Sequence, residues 1–366
     1  MARHLQTLCW QVAPGHRSAD RPSPTKRMAA MKFALTVTTA FGLALAAAAT
    51  FAPEAHAQQV LKIAHILPAG DPRDLGARKV EELVEANASC EMDVQVYPAG
   101  QLGMFKDINE GVQFGSIEVS VMPASYIVGT EPLFGVFDLP FFWPGDSEKL
   151  RALHQGPAME KLGESLAKHN MVLLDVWHTG YKQWTGNKPL NTLGQYDGLV
   201  SRVMPSPVLA EQQKALGLTP VTMPFPETYS ALQSGAIDAQ ENPNPTSWNM
   251  KFHEVQSHLT MTNHGTLDQV ILINKPFWEG LSPECKAAIE EALPAASEVT
   301  FTETMKQEEE AMADFKANGL TIVELSDDER AALRDAILPK VREFYIESTG
   351  DEGKAIVEAF EAEMND

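Results

Sequence analysis

Asp197–Pro243 reads DGLVSRVMPSPVLAEQQKALGLTPVTMPFPETYSALQSGAIDAQENP, a pattern that predicts short strands alternating with helices. Within it, Arg202 lies among valines in a segment typical of a buried strand, and a Pro-Ser-Pro turn follows at once. An unpaired charge inside a protein is very costly, so a buried arginine requires an anionic partner. From spacing alone, an internal carboxylate of Asp197 or Glu227 is as good a candidate as a bound anion.

A parallel sheet is predicted before this stretch. Strands are expected at 59–67, 92–97 and 117–122, with helices between them at 73–88 and through Ile108 and Val112. This β-α-β-α-β order is typical of a parallel sheet covered by helices. Ligands bind such sheets beyond the carboxyl ends of the strands, which is where Ile66, Pro123 and Tyr126 lie.

The remaining pattern predicts a second set of elements and a hinge. The aromatic segment 134–143 is expected to close a core, a helix is expected at 147–170, and a strand at 172–177. A second alternating set begins near 181 and includes a strand at 236–240; strands at 259–263 and 269–273 are expected to return to the first sheet. A long helix is predicted from Ser282 to Gly319, broken or kinked at Pro294.

Composition and charge exclude some classes of protein. The 366 residues are enough for two domains, each with its own core. The net charge of −20 argues against a nucleic-acid partner, because neutralising phosphates requires basic surfaces.

The N-terminal region predicts export. Lys32 begins a short basic region, an apolar run follows from Phe33 to Phe51, and Ala55-His56-Ala57 reads as a cleavage site. A transmembrane anchor is the weaker interpretation, because the run is alanine-rich and only marginally long enough to span a bilayer. Residues 1–30 do not fit a signal peptide. An over-called start codon at Met1 is therefore predicted, with Met28 or Met31 as the true start, and the mature protein is expected in the periplasm.

The sequence offers no strong catalytic or metal-binding motif. It lacks G-x-S-x-G, a P-loop, a strand-linked G-x-G-x-x-G and H-E-x-x-H. His65, His178, His253 and His264 are each isolated and are expected to be simply hydrogen-bonded. No enzymatic activity, cofactor or metal is therefore predicted, although a hydrolase with a dispersed triad stays open.

The two cysteines after the signal region are predicted to be unpaired. Cys90 and Cys285 lie far apart in polar helix-end contexts, and neither has a catalytic neighbourhood.

Four residues in or near Asp197–Pro243 are candidates for binding an anionic molecule: Arg202, Lys182, Phe225 and Asn242. All are predicted at strand ends of the second set. A guanidinium holds a carboxylate by two parallel hydrogen bonds, a lysine adds charge, a ring covers an apolar face, and an amide pairs with a hydroxyl or carbonyl. The alternatives are an ion pair for Arg202, a solvated strand edge for Lys182 and plain core for Phe225.

At this level of detail the chain resembles the DctP-type extracytoplasmic solute-binding proteins of tripartite ATP-independent periplasmic (TRAP) transporters. The resemblance spans 58 to about 340, and its markers include LKIAHILPAGDPRDLGARKVEELVE, VYPAGQLG, VFDLPFFW, GYKQWT, GLVSRVMPSPV, SALQSGAIDAQENP and LTMTNHG. It implies an α/β, two-lobed periplasmic binding protein fold with a hinge and a long helix spanning both lobes. Lobe I is expected at 58–179 and 268–307, and lobe II at 180–267 and 308–366.

The resemblance also implies roles for the candidate residues. Arg202 matches the arginine that holds the ligand carboxylate, and Phe225 and Asn242 match further pocket positions. Lys182 lies where many members carry a second arginine, and a lysine cannot form the bidentate hydrogen bonds of a guanidinium. Asn242 follows Glu241 where a metal-assisted branch of the family has tryptophan, so that branch is not favoured. Ile66, Pro123 and Tyr126 are expected to contact the ligand from the other lobe.

The expected function is capture of a small organic acid anion, a C4-dicarboxylate or related carboxylate, and its delivery to the small and large membrane permease subunits. A monomer is expected. The alternatives are a ligand-sensing receptor for a signalling system and a secreted hydrolase.

Overall fold

The structure, a computed structural model, describes residues 59–365. The predicted N-terminal extension, signal peptide and alternative start codons lie outside this part of the chain.

Eleven strands and ten helices are assigned in the described chain. The strands are β1 (Gln59–Ala64), β2 (Met92–Tyr97), β3 (Val119–Pro123), β4 (Met171–Trp177), β5 (Gln183–Gly186), β6 (Val200–Val203), β7 (Thr219–Thr222), β8 (Gln240–Asn242), β9 (His258–Met261), β10 (Gln269–Asn274) and β11 (Thr321–Glu324). The helices are α1 (Pro72–Glu85), α2 (Phe105–Phe114), α3 (Ser147–His154), α4 (Pro157–Glu164), α5 (Pro207–Ala215), α6 (Thr228–Ser234), α7 (Asn244–Asn249), α8 (Lys275–Gly280), α9 (Pro283–Ala317) and α10 (Asp327–Asn365). Short 3-10 turns lie at Ala124–Tyr126, Pro132–Asp138, Ser165–His169, Leu193–Gln195, Phe225–Glu227 and Phe252–Glu254.

The first sheet has the strand order β2-β1-β3-β10-β4. β1 runs parallel to β2 and β3, as the β-α-β-α-β pattern predicts, and β10 is antiparallel to both β3 and β4. The carboxyl ends of β1 and β3 therefore open on the same edge of this sheet.

A second sheet has the order β11-β9-β5-β8, and the pair β6-β7 adjoins it through a bridge between Ser201 and Ala239. The expectation that 259–263 returns to the first sheet is wrong. β9 instead pairs antiparallel with β5, placing Trp184 opposite Thr260, and parallel with β11. Of the described strands that follow β4, only β10 belongs to the first sheet.

These sheets belong to a two-lobed α/β fold. The chain leaves the first sheet after β4 and rejoins it at β10. Helix α9 packs on α1 and β4 and also on α7. The α10 segment is two helices that meet at a kink at Gly350, whose backbone is not helical (φ 68°, ψ −150°), and it packs on α5 and on the turn Pro132–Asp138. Both α9 and α10 thus pack against parts of the chain that follow strands of the first sheet and against parts that follow strands outside it. The lobe boundaries derived from the sequence stay a prediction.

Some predicted helices and strands differ from the structure. The helix expected at 147–170 is divided into α3, α4 and a 3-10 turn, because Gly156 is the N-cap of a new helix that begins with Pro157. In contrast, α9 continues through Pro294 without a break. Its alanine-rich side packs closely on α1, where a side chain in place of Gly76 would overlap Thr300 and Trp177. The strand predicted at 236–240 is β8, which starts only at Gln240, after Gly235 ends α6 at positive φ.

The prediction that Cys90 and Cys285 are unpaired is wrong. The two residues form a disulfide with a Cα–Cα distance of 4.8 Å, across a sequence separation of 195 residues. Packing of α9 on α1 brings the start of α9 next to the loop between α1 and β2, and both cysteines are buried in the same core. An exported protein can keep such a bond oxidised.

Among residues 59–365, no helix combines the length and apolar character that crossing a membrane requires.

Candidate functional site

A small cavity lies where strands from both sheets end. The space in it that a water-sized sphere can occupy is only about 20 Å³, roughly one water molecule. Its walls follow the ends of β1, β3, β6, β7 and β8, in keeping with ligand sites at the carboxyl ends of strands. The lining residues are Leu67, Arg73, Phe105, Pro123, Tyr126, Arg202, Met204, Phe225, Asn242, Thr246 and Leu267. We call this the inner cavity.

Arg202 is the most unusual of these residues. It is 2% exposed on β6, and its Nη2 donates to the Tyr126 hydroxyl at 2.9 Å. Its Nε is buried without a hydrogen-bond partner in the described chain, and no carboxylate of residues 59–365 lies within 4 Å of its guanidinium. The internal ion pair with Asp197 or Glu227 that spacing left open is therefore not formed.

The backbone holds Arg202 firmly in place. Its amide N–H donates to the Ala239 carbonyl at 3.1 Å, and its own carbonyl accepts from the Gln213 side chain at 3.1 Å. Ser206 caps α5 just beyond β6, so the strand cannot extend and its side chains stay at the cavity edge. The Phe225 ring lies 5.3 Å from the Arg202 guanidinium carbon, a cation–π distance.

A second arginine of the inner cavity, Arg73, was missed by the sequence analysis. It lies in the first turn of α1, is 2% exposed, and is held by Asp71 through Nε–Oδ1 (2.5 Å) and Nη2–Oδ2 (2.7 Å) contacts. The Asp-Pro-Arg run carries a usable signal, because aspartate before proline marks a helix start. A helix that starts after β1 necessarily faces the carboxyl edge of the sheet.

Most of the predicted site residues are brought together by the fold. Pro123, Tyr126, Arg202, Phe225 and Asn242 all line the inner cavity. Asn242 is 2% exposed, and its amide donates to the Gln240 side chain at 2.5 Å.

Two predicted residues lie elsewhere. Ile66 packs in the core, and its neighbour Leu67 lines the cavity instead. Lys182 does not line the cavity; it is 1% exposed, and its Nζ lies 3.9 Å from Asp138 Oδ1. The predicted alternative of a solvated strand edge is therefore wrong for Lys182.

Lys182 belongs to a buried cluster that also contains Asp138, Glu241 and His264. The Ser125 hydroxyl donates to Asp138 at 2.6 Å, and the His264 ring contacts Glu241 at 2.5 Å. Burial raises the pKa of Asp138, against the Lys182 charge. Burial would raise the pKa of Glu241 too, but the Lys182 charge and the His264 contact outweigh it and hold this pKa at about 2. Burial lowers the pKa of His264.

The histidines singled out in the sequence each lie beside one carboxylate. The pairs are His65–Asp74 (3.4 Å), His178–Asp268 (2.7 Å), His253–Asp314 (3.4 Å) and His264–Glu241 (2.5 Å). Within 59–365, no group of three or more histidine, cysteine or acidic side chains is placed to hold a metal ion.

A larger cleft opens outside the inner cavity. Phe105, Tyr126 and Phe225 line both spaces, so these rings separate them. The cleft has an empty volume of about 1480 Å³, including the solvent at its mouth. Its other walls come from α2 and from the segment around Thr222, Met223 and Pro224.

Comparison with known proteins agrees with this architecture. The family model described as bacterial extracellular solute-binding protein, family 7 (DctP), matches residues 63–348. The C4-dicarboxylate-binding periplasmic protein DctP of Rhodobacter capsulatus is 35% identical, covering 90% of this chain and 98% of the relative.

Solved structures agree as well. A TRAP periplasmic solute-binding protein from Desulfovibrio salexigens, with bound orotic acid, superposes with a TM-score of 0.81 at 33% identity, covering 84% of this chain and 98% of that one. One from Shewanella oneidensis, with bound succinate, gives a TM-score of 0.78 at 32% identity, covering 84% and 99%. The chain therefore belongs to the DctP family, bacterial extracellular solute-binding protein family 7.

Proposed function

We propose that this protein is the solute receptor of a TRAP transporter and that it captures a small organic acid anion, a C4-dicarboxylate or related carboxylate, in the inner cavity. The observation that carries the proposal is the buried guanidinium of Arg202, which has no carboxylate partner in the described chain. A ligand carboxylate supplies the missing charge and accepts from the orphaned Nε.

The other polar groups of the cavity orient the bound acid. The Tyr126 hydroxyl already accepts from Arg202 and can donate its own proton to a ligand oxygen. Asn242 and Thr246 offer neutral hydrogen-bond partners, and Phe225 covers an apolar face.

Binding couples to closure of the lobes. Pro123 ends β3 of the first sheet and Tyr126 follows it, whereas Arg202 lies on β6 and Phe225 follows β7. A ligand held between these groups stabilises the closed arrangement relative to the open one. In the predicted division these residues belong to different lobes.

The similarities support the wider role. The Rhodobacter capsulatus relative is named for C4-dicarboxylate binding, and solved relatives hold succinate or orotic acid. We extend this to an exported monomer that loses its signal peptide, works in the periplasm and hands its ligand to small and large permease subunits. A signalling receptor or a secreted hydrolase has no specific observation in its favour.

Thermal stabilisation by a panel of carboxylates tests the proposal, because a ligand that binds the folded state raises the melting temperature. Arg202→Ala should weaken binding by roughly 2–5 kcal/mol, enough to abolish detectable stabilisation. Arg202→Lys, which keeps the charge but loses the planar fork, should retain part of the affinity.

Arg334→Ala is the matched control, since Arg334 is exposed and, within the part of the chain that the structure describes, pairs only with its neighbour Asp335. Its thermal stabilisation by each carboxylate should equal that of the parent. If no carboxylate stabilises the parent, or if Arg202→Ala binds as tightly as the parent does, the proposed function is wrong.

A further inference from the structure

The charge balance of the inner cavity bears on which acids it accepts. Among residues 59–365, its lining contains two charged side chains, Arg73 and Arg202, and no acidic residue. The two arginines differ in their partners. Arg202 has no carboxylate within 4 Å in the described chain, whereas Arg73 is neutralised by two contacts to Asp71. The cavity therefore carries one uncompensated positive charge.

The Asp71–Arg73 pair is built into the protein. Asp71 is the N-cap of α1, and its Oδ1 accepts both the Arg73 backbone N–H (3.0 Å) and the Arg73 Nε. Their side chains are 0% and 3% exposed. A bidentate carboxylate–guanidinium pair in such a place is strong and specific in geometry. A ligand carboxylate has to compete with Asp71 for Arg73.

We infer that the inner cavity is matched to a monoanion, an organic monocarboxylate with an uncharged body, and that the Asp71–Arg73 pair discriminates against dicarboxylates. This inference rests on the proposed function: it keeps the class of organic carboxylates and favours the related monocarboxylates over the C4-dicarboxylates named there.

The cost to a dianion follows from its second carboxylate. That group loses its hydration on entering the cavity, and the only further cation there already has a partner, so the lost hydration is not repaid. An uncharged body meets no such cost. The rest of the lining is largely apolar, with Leu67, Phe105, Pro123, Met204 and Leu267 among the walls. A neutral amide or hydroxyl on the ligand can still pair with Thr246 or Asn242.

Matched ligand pairs separate charge from shape. We would measure binding by calorimetry at pH 7.5 for succinamate and succinate, glutaramate and glutarate, and benzoate and phthalate. Each pair shares a skeleton and differs by one carboxylate. In the parent protein, the monoanion of the best-bound pair should bind at least about ten-fold more tightly than the dianion.

Asp71→Asn tests the cause directly. Asparagine is also a good N-cap, so it keeps an acceptor for the Arg73 N–H while removing the charge that neutralises Arg73. The ratio of dianion to monoanion affinity should rise by roughly ten-fold or more. This ratio is taken within one protein sample, so it does not depend on the folded fraction.

Asp146→Asn is the matched control. Asp146 caps α3 through the Lys149 N–H at 2.9 Å and does not line the cavity. The ratio of dianion to monoanion affinity should be the same for Asp146→Asn as for the parent.

The outcomes are distinct. If no member of any pair binds the parent, the proposed function fails, and the inference fails with it. If the parent binds a dianion as tightly as its monoanion, or if Asp71→Asn leaves the ratio unchanged, the inference is overturned while the carboxylate receptor stands.

Discussion

Removing the charge of Lys182 should destabilise the fold and leave ligand binding intact. Lys182 is fully enclosed near Asp138 and Glu241, and its charge opposes the effect of burial on the pKa of both carboxyl groups. Lys182→Met keeps the length of the side chain but leaves two buried carboxyl groups without their cation. Breaking a buried pair by removing one partner costs about 3–5 kcal/mol, and we expect a loss of that size in the free energy of unfolding at pH 7.

The pH dependence gives the prediction a second signature. The pKa of Glu241 is held at about 2, below its ordinary 4.5, so its stabilising contribution is present above pH 4.5 and is lost as the pH falls towards 2. Much of that contribution comes from Lys182. The gap between parent and Lys182→Met should therefore be largest near neutral pH and narrow below pH 4.5.

Guanidinium denaturation at several pH values measures the effect, with calorimetry for the ligand. Lys340→Met is the control, because Lys340 is exposed on α10, and it should stay within about 0.5 kcal/mol of the parent. A loss below about 1 kcal/mol for Lys182→Met would refute the ion-pair account. A folded Lys182→Met protein that binds its ligand ten-fold more weakly would instead place Lys182 in the ligand site.

The other predictions concern stability. Replacing Cys90 and Cys285 together by alanine should lower the unfolding free energy by about 3–5 kcal/mol, since the bond closes a 195-residue loop. The reduced parent protein should have the same unfolding free energy as this variant. Equal denaturation midpoints for the oxidised and the reduced parent would contradict a stabilising role for the disulfide. Burial would raise the pKa of Asp268, but His154 and His178 hold it well below its usual range. Its contribution is thus present above the ordinary aspartate pKa, so Asp268→Asn should be less stable than the parent at pH 7 and converge with it as the pH falls. Parallel acid-denaturation curves would argue against this.

Local patterns were sufficient for the alternation of strands and helices and for much of the candidate site. The position of a residue at a strand end predicts the edge of the sheet at which its side chain lies. Five residues chosen in this way line one cavity in the structure: Pro123, Tyr126, Arg202, Phe225 and Asn242. Ile66 was predicted where its neighbour Leu67 lines the cavity, because β1 ends at Ala64 and the pattern does not determine the direction of the side chains beyond it. Edge placement is thus predictable, and the direction of an individual side chain is less so.

What could not be predicted depends on contacts between distant segments. Lys182 was placed among ligand contacts because nothing near it in sequence shows that Asp138, from the aromatic segment 134–143, packs beside it. The disulfide was missed for the same reason, since only the packing of α9 on α1 brings Cys90 to Cys285. Arg73 was overlooked because a charged residue in a first helical turn is usually solvated, whereas this one is buried and contacts Thr246 of α7, which is 173 residues away in sequence.

The buried cations of this protein are distinguished by their partners rather than by their burial. Lys182, Arg73 and Arg202 are each at most 2% exposed, yet only Arg202 lacks a carboxylate within 4 Å in the described chain. The first two are already compensated, so their burial persists with or without a ligand. Closing the cavity over Arg202 without an anion leaves a desolvated charge uncompensated, which is costly. We infer that the bound anion therefore sets the equilibrium between open and closed lobes, because it removes that cost only in the closed state.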